Sequence, residues 1–269
     1  MPDPIPRKYL SGAALYGDDF GPSEIAAWHS DEKEGYADLR AKKSGGYRYT
    51  YNALNARHGF RYLPDRTFHR VLGLGSAYGG EFQPIAQCIE HLTIVDPSDS
   101  CIQSVVHGVP VDYVKPEVSG DLRFSDNSFE LITCLGVLHH IPNVSHIVRE
   151  LFRCLQPGGF ALLREPVVSM GDWTRPRRGL TRRERGIPLH LFRKICKSAG
   201  FEVVNERLCA FPIIPRLWKW MGRPAYNDPL ATALDSALCA AFRWNLRYHR
   251  THALQKFSPT AVYTVLTKS

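Results

Sequence analysis

No Cys-x-x-Cys pair occurs among the seven cysteines, which are scattered at positions 88, 101, 134, 154, 196, 209 and 239 and odd in number. Zinc-finger and thioredoxin-like spacings are therefore excluded, and reduced thiols acting as small buried residues are expected. No apolar run approaches the roughly 20 residues that a membrane-spanning helix needs. The opening "MPDPIPRKYL" has no apolar core of the kind a signal peptide requires. A cytoplasmic chain is expected from these absences. Internal repeats and low-complexity tracts are missing too. What remains is an ordinary globular composition: 44% apolar and 22% charged over 269 residues, enough for one domain with insertions.

Positive charge is unevenly spread. Residues 164–223 carry 14 Lys and Arg against Glu165, Asp172, Glu184, Glu202 and Glu206, a balance of +9 within a chain whose net charge is +8. A patch of this kind suits an anionic partner, and a solvated surface would look the same.

Residues 1–67 are polar and aromatic and are expected to form a helical N-terminal cap. From His69 onward strands alternate with helices. "HRVLGLG" reads as a strand and "SAYGGEFQPIAQCIE" as the helix after it; "HLTIVD" and "PSDSCIQSVVHG" repeat the pattern. "VPVDYV" and "FELITCLG" are further strands. In "NVSHIVRELFRCLQ" the apolar residues Val144, Ile147, Val148, Leu151, Phe152 and Leu155 have the i, i+3, i+4 spacing of an amphipathic helix. "FALLREP", the helix "IPLHLFRKICKSAG" and the strand "FEVVNERL" follow. A helical stretch at about 209–258 then precedes the last strand, "TAVYTVLTK", and is expected to lie over one edge of the sheet. Such alternation implies crossover connections and a mainly parallel α/β sheet.

"VLGLGSAYGG" sets Gly73, Gly75 and Gly79 between a strand and a helix, where glycine permits a sharp turn and close approach of a ligand to backbone. Packing alone would account for such a turn equally well. Asp96 adds weight. It ends the second strand, 21 residues beyond Gly75, where a carboxylate can accept hydrogen bonds from both ribose hydroxyls. Capping the segment that starts at Pro97 is compatible with that role. A nucleoside-type cofactor is expected, and the extra residue before Gly79 departs from the nicotinamide fingerprint.

The stretch "GDLRFSDNSFELITCLGVLHHIPNVSHIVRELFRCLQPGGFALLREP" resembles the class I S-adenosylmethionine-dependent methyltransferases of type 11. The resemblance rests on Leu122, Phe124, Asp126 to Phe129, Val137 to His140 and Pro157 to Gly159, and spans roughly residues 69–166. Arg123 stands where proline is usual, and Glu130 where aspartate is. The resemblance implies a Rossmann-like domain over 68–269, with a mainly parallel seven-stranded sheet flanked by helices. It implies S-adenosyl-L-methionine as cofactor, held by Gly73, Gly75, Ser76, Gly79, Asp96, Pro97, Leu122, Leu135 and Gly136, with Asp121 the candidate for adenine and Glu117 or a backbone group the alternatives. Similarity to sugar O-methyltransferases implies His139 as general base, His140 as its understudy and Glu165 as the supporting carboxylate; the alternative is that the histidines only shape the cofactor pocket. No metal is expected, because neighbouring histidines do not easily face one ion and no acidic cluster accompanies them.

For the acceptor, the Arg-rich loop at 165–187 is the expected substrate lid, with Trp173, Arg182 and Arg185 as ligands and Tyr49, Asn52 and His58 of the cap as further candidates. "FPIIPRLWKWMG" mixes apolar, Trp and basic residues as interfacial segments do, so peripheral membrane contact is considered. A small-molecule hydroxyl is the expected acceptor, on an anionic sugar or glycan that could be lipid- or nucleotide-linked. The fourth strand lacks the Pro-Pro-aromatic ending of nucleic-acid amino methylation. The rivals are C- or N-methylation of a quinone, polyketide or amine, and a non-catalytic binding protein.

Overall fold

The computed structural model describes residues 6–41, 48–171, 177, 179–181 and 183–269. Eight strands form one sheet: β1 (Phe68–Leu74), β2 (Ile89–Val95), β3 (Val105–Val106), β4 (Val109–Val114), β5 (Phe129–Leu135), β6 (Leu155–Pro166), β7 (Glu202–Cys209) and β8 (Ala261–Thr267). Their spatial order is β3-β4-β2-β1-β5-β6-β8-β7. The pairs from β4 across to β6 are parallel, and β8 runs antiparallel between β6 and β7. The chain moves outward from β1 to one side and then returns to start β5 on the other. That reversal opens a crevice at the carboxyl ends of β1 and β5, the usual ligand position in open α/β sheets.

Side chains alternate across the pleat. Leu72, Ile132 and Leu163 join one apolar cluster, whereas Val71, Leu131 and Leu162, each one residue earlier, join the other. The first face is covered by α4 (Val144–Cys154) and α5 (Leu189–Ala199). The periodic stripe read in the sequence buries Val144, Ile147, Val148 and Leu151 as expected. α5 stops at Gly200, whose φ of +107° and 2.7 Å clearance from the Phe152 ring leave no room for a side chain.

Two expected helices are absent. After β1 the chain forms a 3-10 run, Gly80–Cys88, with Pro84 inside it; proline withholds an N–H and crowds the preceding turn, so a full α-helix cannot propagate. After β2 there is only the 3-10 turn Asp99–Cys101, and "VVHGVP" is a hairpin. His107 (φ +51°) and Gly108 (φ +85°) are its two turn residues, the left-handed pair that a tight hairpin demands. This hairpin supplies the strand beyond the expected seven.

The second face is closed by α3 (Asn52–His58), α6 (Ile213–Trp220) and α7 (Pro229–Ala241), through Leu54, Ile214, Trp218, Ala231 and Cys239. The late insertion thus covers a face rather than an edge, supplying the apolar surface that the shortened connections do not. Asp228 caps α7 by accepting from the Leu230 and Ala231 amides. Asp235, fully buried, accepts from the Ala210 and Phe211 amides and the Tyr226 hydroxyl, tying α7 to the end of β7. Asp235→Leu leaves those donors buried without an acceptor, and a loss of about 3 kcal/mol is expected; urea unfolding measures it, and an unchanged midpoint would remove the tie.

Candidate functional site

A cleft of about 1280 Å³ opens at the carboxyl ends of β1, β2, β5 and β6. Gly75, Ser76, Asp96, Pro97, Asp121, Leu122, Leu135 and Gly136 all line it. Gly75 takes φ +66° and donates its N–H to the Val95 carbonyl at 2.7 Å; a Cβ there would stand 2.5 Å from Val137. Glycine is therefore what lets Val137 pack over this bend. The buried Ser76 hydroxyl lies inside it, beside the buried Glu81 carboxyl. Gly73 and Gly79 do not line the cleft. Gly73 packs under Ser76 and Phe82, and Gly79, at φ +66°, lies against Val106. Both positions serve the turn itself. Two amides of the turn are engaged within the protein: the Ala77 N–H goes to Asp96, and the Gly79 N–H to the Ser76 carbonyl.

Asp96 faces the bend. Its two oxygens accept from the Ala77 amide at 3.0 Å and the Ser98 amide at 2.9 Å, so one carboxylate links the ends of β1 and β2. Asp121 sits at the rim, accepting from the Ser119 hydroxyl and pairing with His146 at 2.8 Å; these contacts hold it below the usual carboxylate range. At the opposite end lie two groups that the sequence reading did not single out. Arg164, on β6, lies 3.9 Å from the Tyr51 ring centroid. Glu81 is buried in the segment after the glycine turn, and burial pushes its pKa up to about 7. Tyr49 also lines the cleft, accepting from Asn55. Asn52 does not; it is bound to Gln83 and Asn227, and His58 is buried near Ser236, so both leave the list of acceptor contacts.

The histidines answer to one carboxylate. Glu165, fully buried at the end of β6, accepts the backbone N–H groups of Val137, Leu138 and His139 and the His139 ring at Nδ1, all within 3.2 Å. Burial alone would raise its pKa, but these donors, His139 foremost, hold it below the ordinary value. His139 Nε2 lies 3.5 Å from Glu184 Oε1. Burial pulls the His139 pKa down, yet the two carboxylates outweigh it and set it at about 9, while Glu184 falls to about 2. His140 pairs through Nδ1 with Glu32 at 3.0 Å; burial and the neighbouring His139 charge lower its pKa. One ring nitrogen of each histidine and a Glu184 oxygen fall within 4.8 Å of one another. The imidazoles therefore do converge with an acid, contrary to the sequence expectation; that acid comes from a loop 44 positions beyond His140.

Arg185 is a correction. It is wholly buried, and its guanidinium donates to the carbonyls of Tyr16, Leu138, Ile141 and Pro142. Burial draws its pKa down to about 10. It fastens the histidine segment to the cap and offers no donor to an acceptor. Trp173 and Arg182 lie outside the described residues. The cap reaches this place through α2 (Pro22–Ala41): Trp28 donates to the His140 carbonyl at 2.7 Å, and Glu32 accepts from Thr181 and the Arg183 amide. Weak periodicity hid that role.

A methyltransferase domain family matches residues 47–206, more than half of the chain, and the chain belongs to that family. It is 31% identical over 95 residues to the ubiquinone biosynthesis O-methyltransferase of Proteus mirabilis, covering 34% of this chain and 39% of that one. It is 29% identical over 178 residues to 24-methylenesterol C-methyltransferase 2 of Oryza sativa, covering 59% and 48%. The chain thus spans less than half the length of these curated relatives. Among solved structures, an S-adenosylmethionine-dependent methyltransferase from Mesorhizobium loti superposes with a TM-score of 0.50 at 16% identity, covering 77% of this chain and 94% of the other. Phosphoethanolamine N-methyltransferase 2 of Haemonchus contortus gives 0.51 at 17% identity, covering 80% and 52%. These likenesses establish the Rossmann-like fold. Glu165→Gln would set an NH2 group against the amide and ring donors it now accepts; a stability loss of about 3 kcal/mol is expected. An unaltered melting temperature would show that the carboxylate does not hold this segment.

Proposed function

We propose that the chain transfers a methyl group from S-adenosylmethionine to a hydroxyl oxygen of a small molecule, with His139 as the proton acceptor. The observation that carries this reading is the Glu165–His139 pair at the inner wall of the cleft. Once bound, the cofactor supplies a methyl carbon on a positively charged sulfur. The residues present suit it. Gly75 and Ser76 line the bend, Asp96 faces it from the end of β2, and Arg164 with Glu81 complements a zwitterionic amino-acid end.

The Nδ1–H donated to Glu165 fixes the ring orientation and leaves Nε2 as the basic atom. The acceptor hydroxyl surrenders its proton to Nε2 as oxygen attacks, and Glu165 stabilises the resulting imidazolium. Glu184 governs the resting state, because its carboxylate favours a proton on the same nitrogen.

A sugar or glycan hydroxyl is the acceptor class favoured, since Glu32 and Glu184 line the cleft and carboxylates accept from polyols. The anionic character expected from the sequence has lost the support of Arg185. A phenolic hydroxyl is the second reading, favoured by the relative named for ubiquinone biosynthesis.

His139→Ala is expected to lower kcat at least about a hundredfold, within the range of a lost general base, while S-adenosylhomocysteine affinity by calorimetry stays within about threefold. Equal turnover would reduce the ring to scaffolding. A base whose pKa is about 9 in the free protein makes kcat/KM rise with pH up to that value. Removing the Glu184 charge favours neutral imidazole, so in Glu184→Gln the limb moves to lower pH, by about one unit. A pH–rate profile that does not move would disconnect Glu184 from the base.

A further inference from the structure

Fourteen large apolar side chains are exposed among the described residues, and eleven of them fall between Val203 and Phe257. That stretch also carries eight Lys and Arg against Glu206, Asp228 and Asp235. The concentration is sharpest on α6. Ile214 and Trp218 turn inward, while Ile213, Leu217 and Trp220, spaced i, i+4, i+7, stand outward, and Trp220 is 97% exposed. Met221 extends the stripe past the helix end at 57% exposure. Arg216 and Lys219 are exposed beside it, followed by Arg223, and no acidic residue occurs from 210 to 227.

We infer that this face docks on an anionic lipid bilayer, with the apolar stripe entering the headgroup boundary and the basic residues meeting lipid phosphates. An apolar stripe flanked by one sign of charge is the arrangement that suits an interfacial helix. The position adds a consequence: Ala210, three residues before α6, lines the cleft, so a docked α6 holds the cleft beside the membrane surface. The inference stands apart from the methyl-transfer reading, since it concerns binding alone.

The test is co-sedimentation of the full chain with vesicles of phosphatidylglycerol and phosphatidylcholine, beside vesicles of phosphatidylcholine alone. Binding to the anionic vesicles is expected to be about tenfold tighter or more and to weaken with salt. Leu217→Ser/Trp220→Ser should reduce it by about tenfold or more with cofactor affinity unchanged. Arg216→Glu/Lys219→Glu, which leaves the apolar stripe intact, should do the same. No binding to anionic vesicles overturns the inference, as does equal binding by both double variants. A wild-type dimer in sedimentation equilibrium that the serine variant dissolves also overturns it, because the face then belongs to a second copy.

Discussion

The carboxylate of Glu165 is the constraint on which the site depends. It is removed from water and stays ionised because three consecutive backbone amides and an imidazole donate to it. The cost of burying a charge is offset only when every lone pair is used in this way. In return these donors tie the turn Leu138–His140 and the His139 ring to the end of β6. The carboxylate that orients the proposed base is thus the same one that shapes the loop carrying it. Orientation and local folding cannot be separated at this residue.

A second layer fixes the same turn from the outside. Arg185 draws together carbonyls from the cap and from both ends of the histidine segment, while Trp28 and Glu32 press on it from α2. The cap is part of the cleft wall and not a separate cover. Two further carboxylates, Glu32 and Glu184, are brought against the imidazoles by this packing, from positions 108 before and 44 after His140. Their closeness changes the chemistry, since Glu184, from a distant loop, joins Glu165 in raising the proton affinity of His139.

Much of the sheet was legible because period-two and i, i+3, i+4 patterns are local: β1, β4, β5, β7, β8, α4 and α5 fall where the residues place them. The two missing helices were not legible, for "SAYGGEFQPIAQCIE" carries apolar spacing that Pro84 overrides, and "VVHGVP" reveals its hairpin only through left-handed backbone at His107 and Gly108. In the site, Gly75, Asp96 and the His139–Glu165 pair could be read from strand ends and the family resemblance. Arg185 could not. A guanidinium that answers backbone carbonyls looks, in sequence, like one that would grip an anion, and only its burial tells them apart. Glu184, Glu32, Glu81 and Arg164 reach the cleft through tertiary packing that no short-range pattern encodes.

The tightly wound segment after the glycine bend also decides what kind of molecule is welcome there. In sheets of this type a long helix usually begins at that point and presents a cluster of unpaired amides, a partial positive pole that attracts phosphate. Here the amides of Ala77, Gly79 and Phe82 are already taken by Asp96, Ser76 and Gly79, and the buried acid Glu81 stands close by. An anion arriving at the bend would find those three donors engaged and a buried acid nearby, so the bend itself adds little to anion binding.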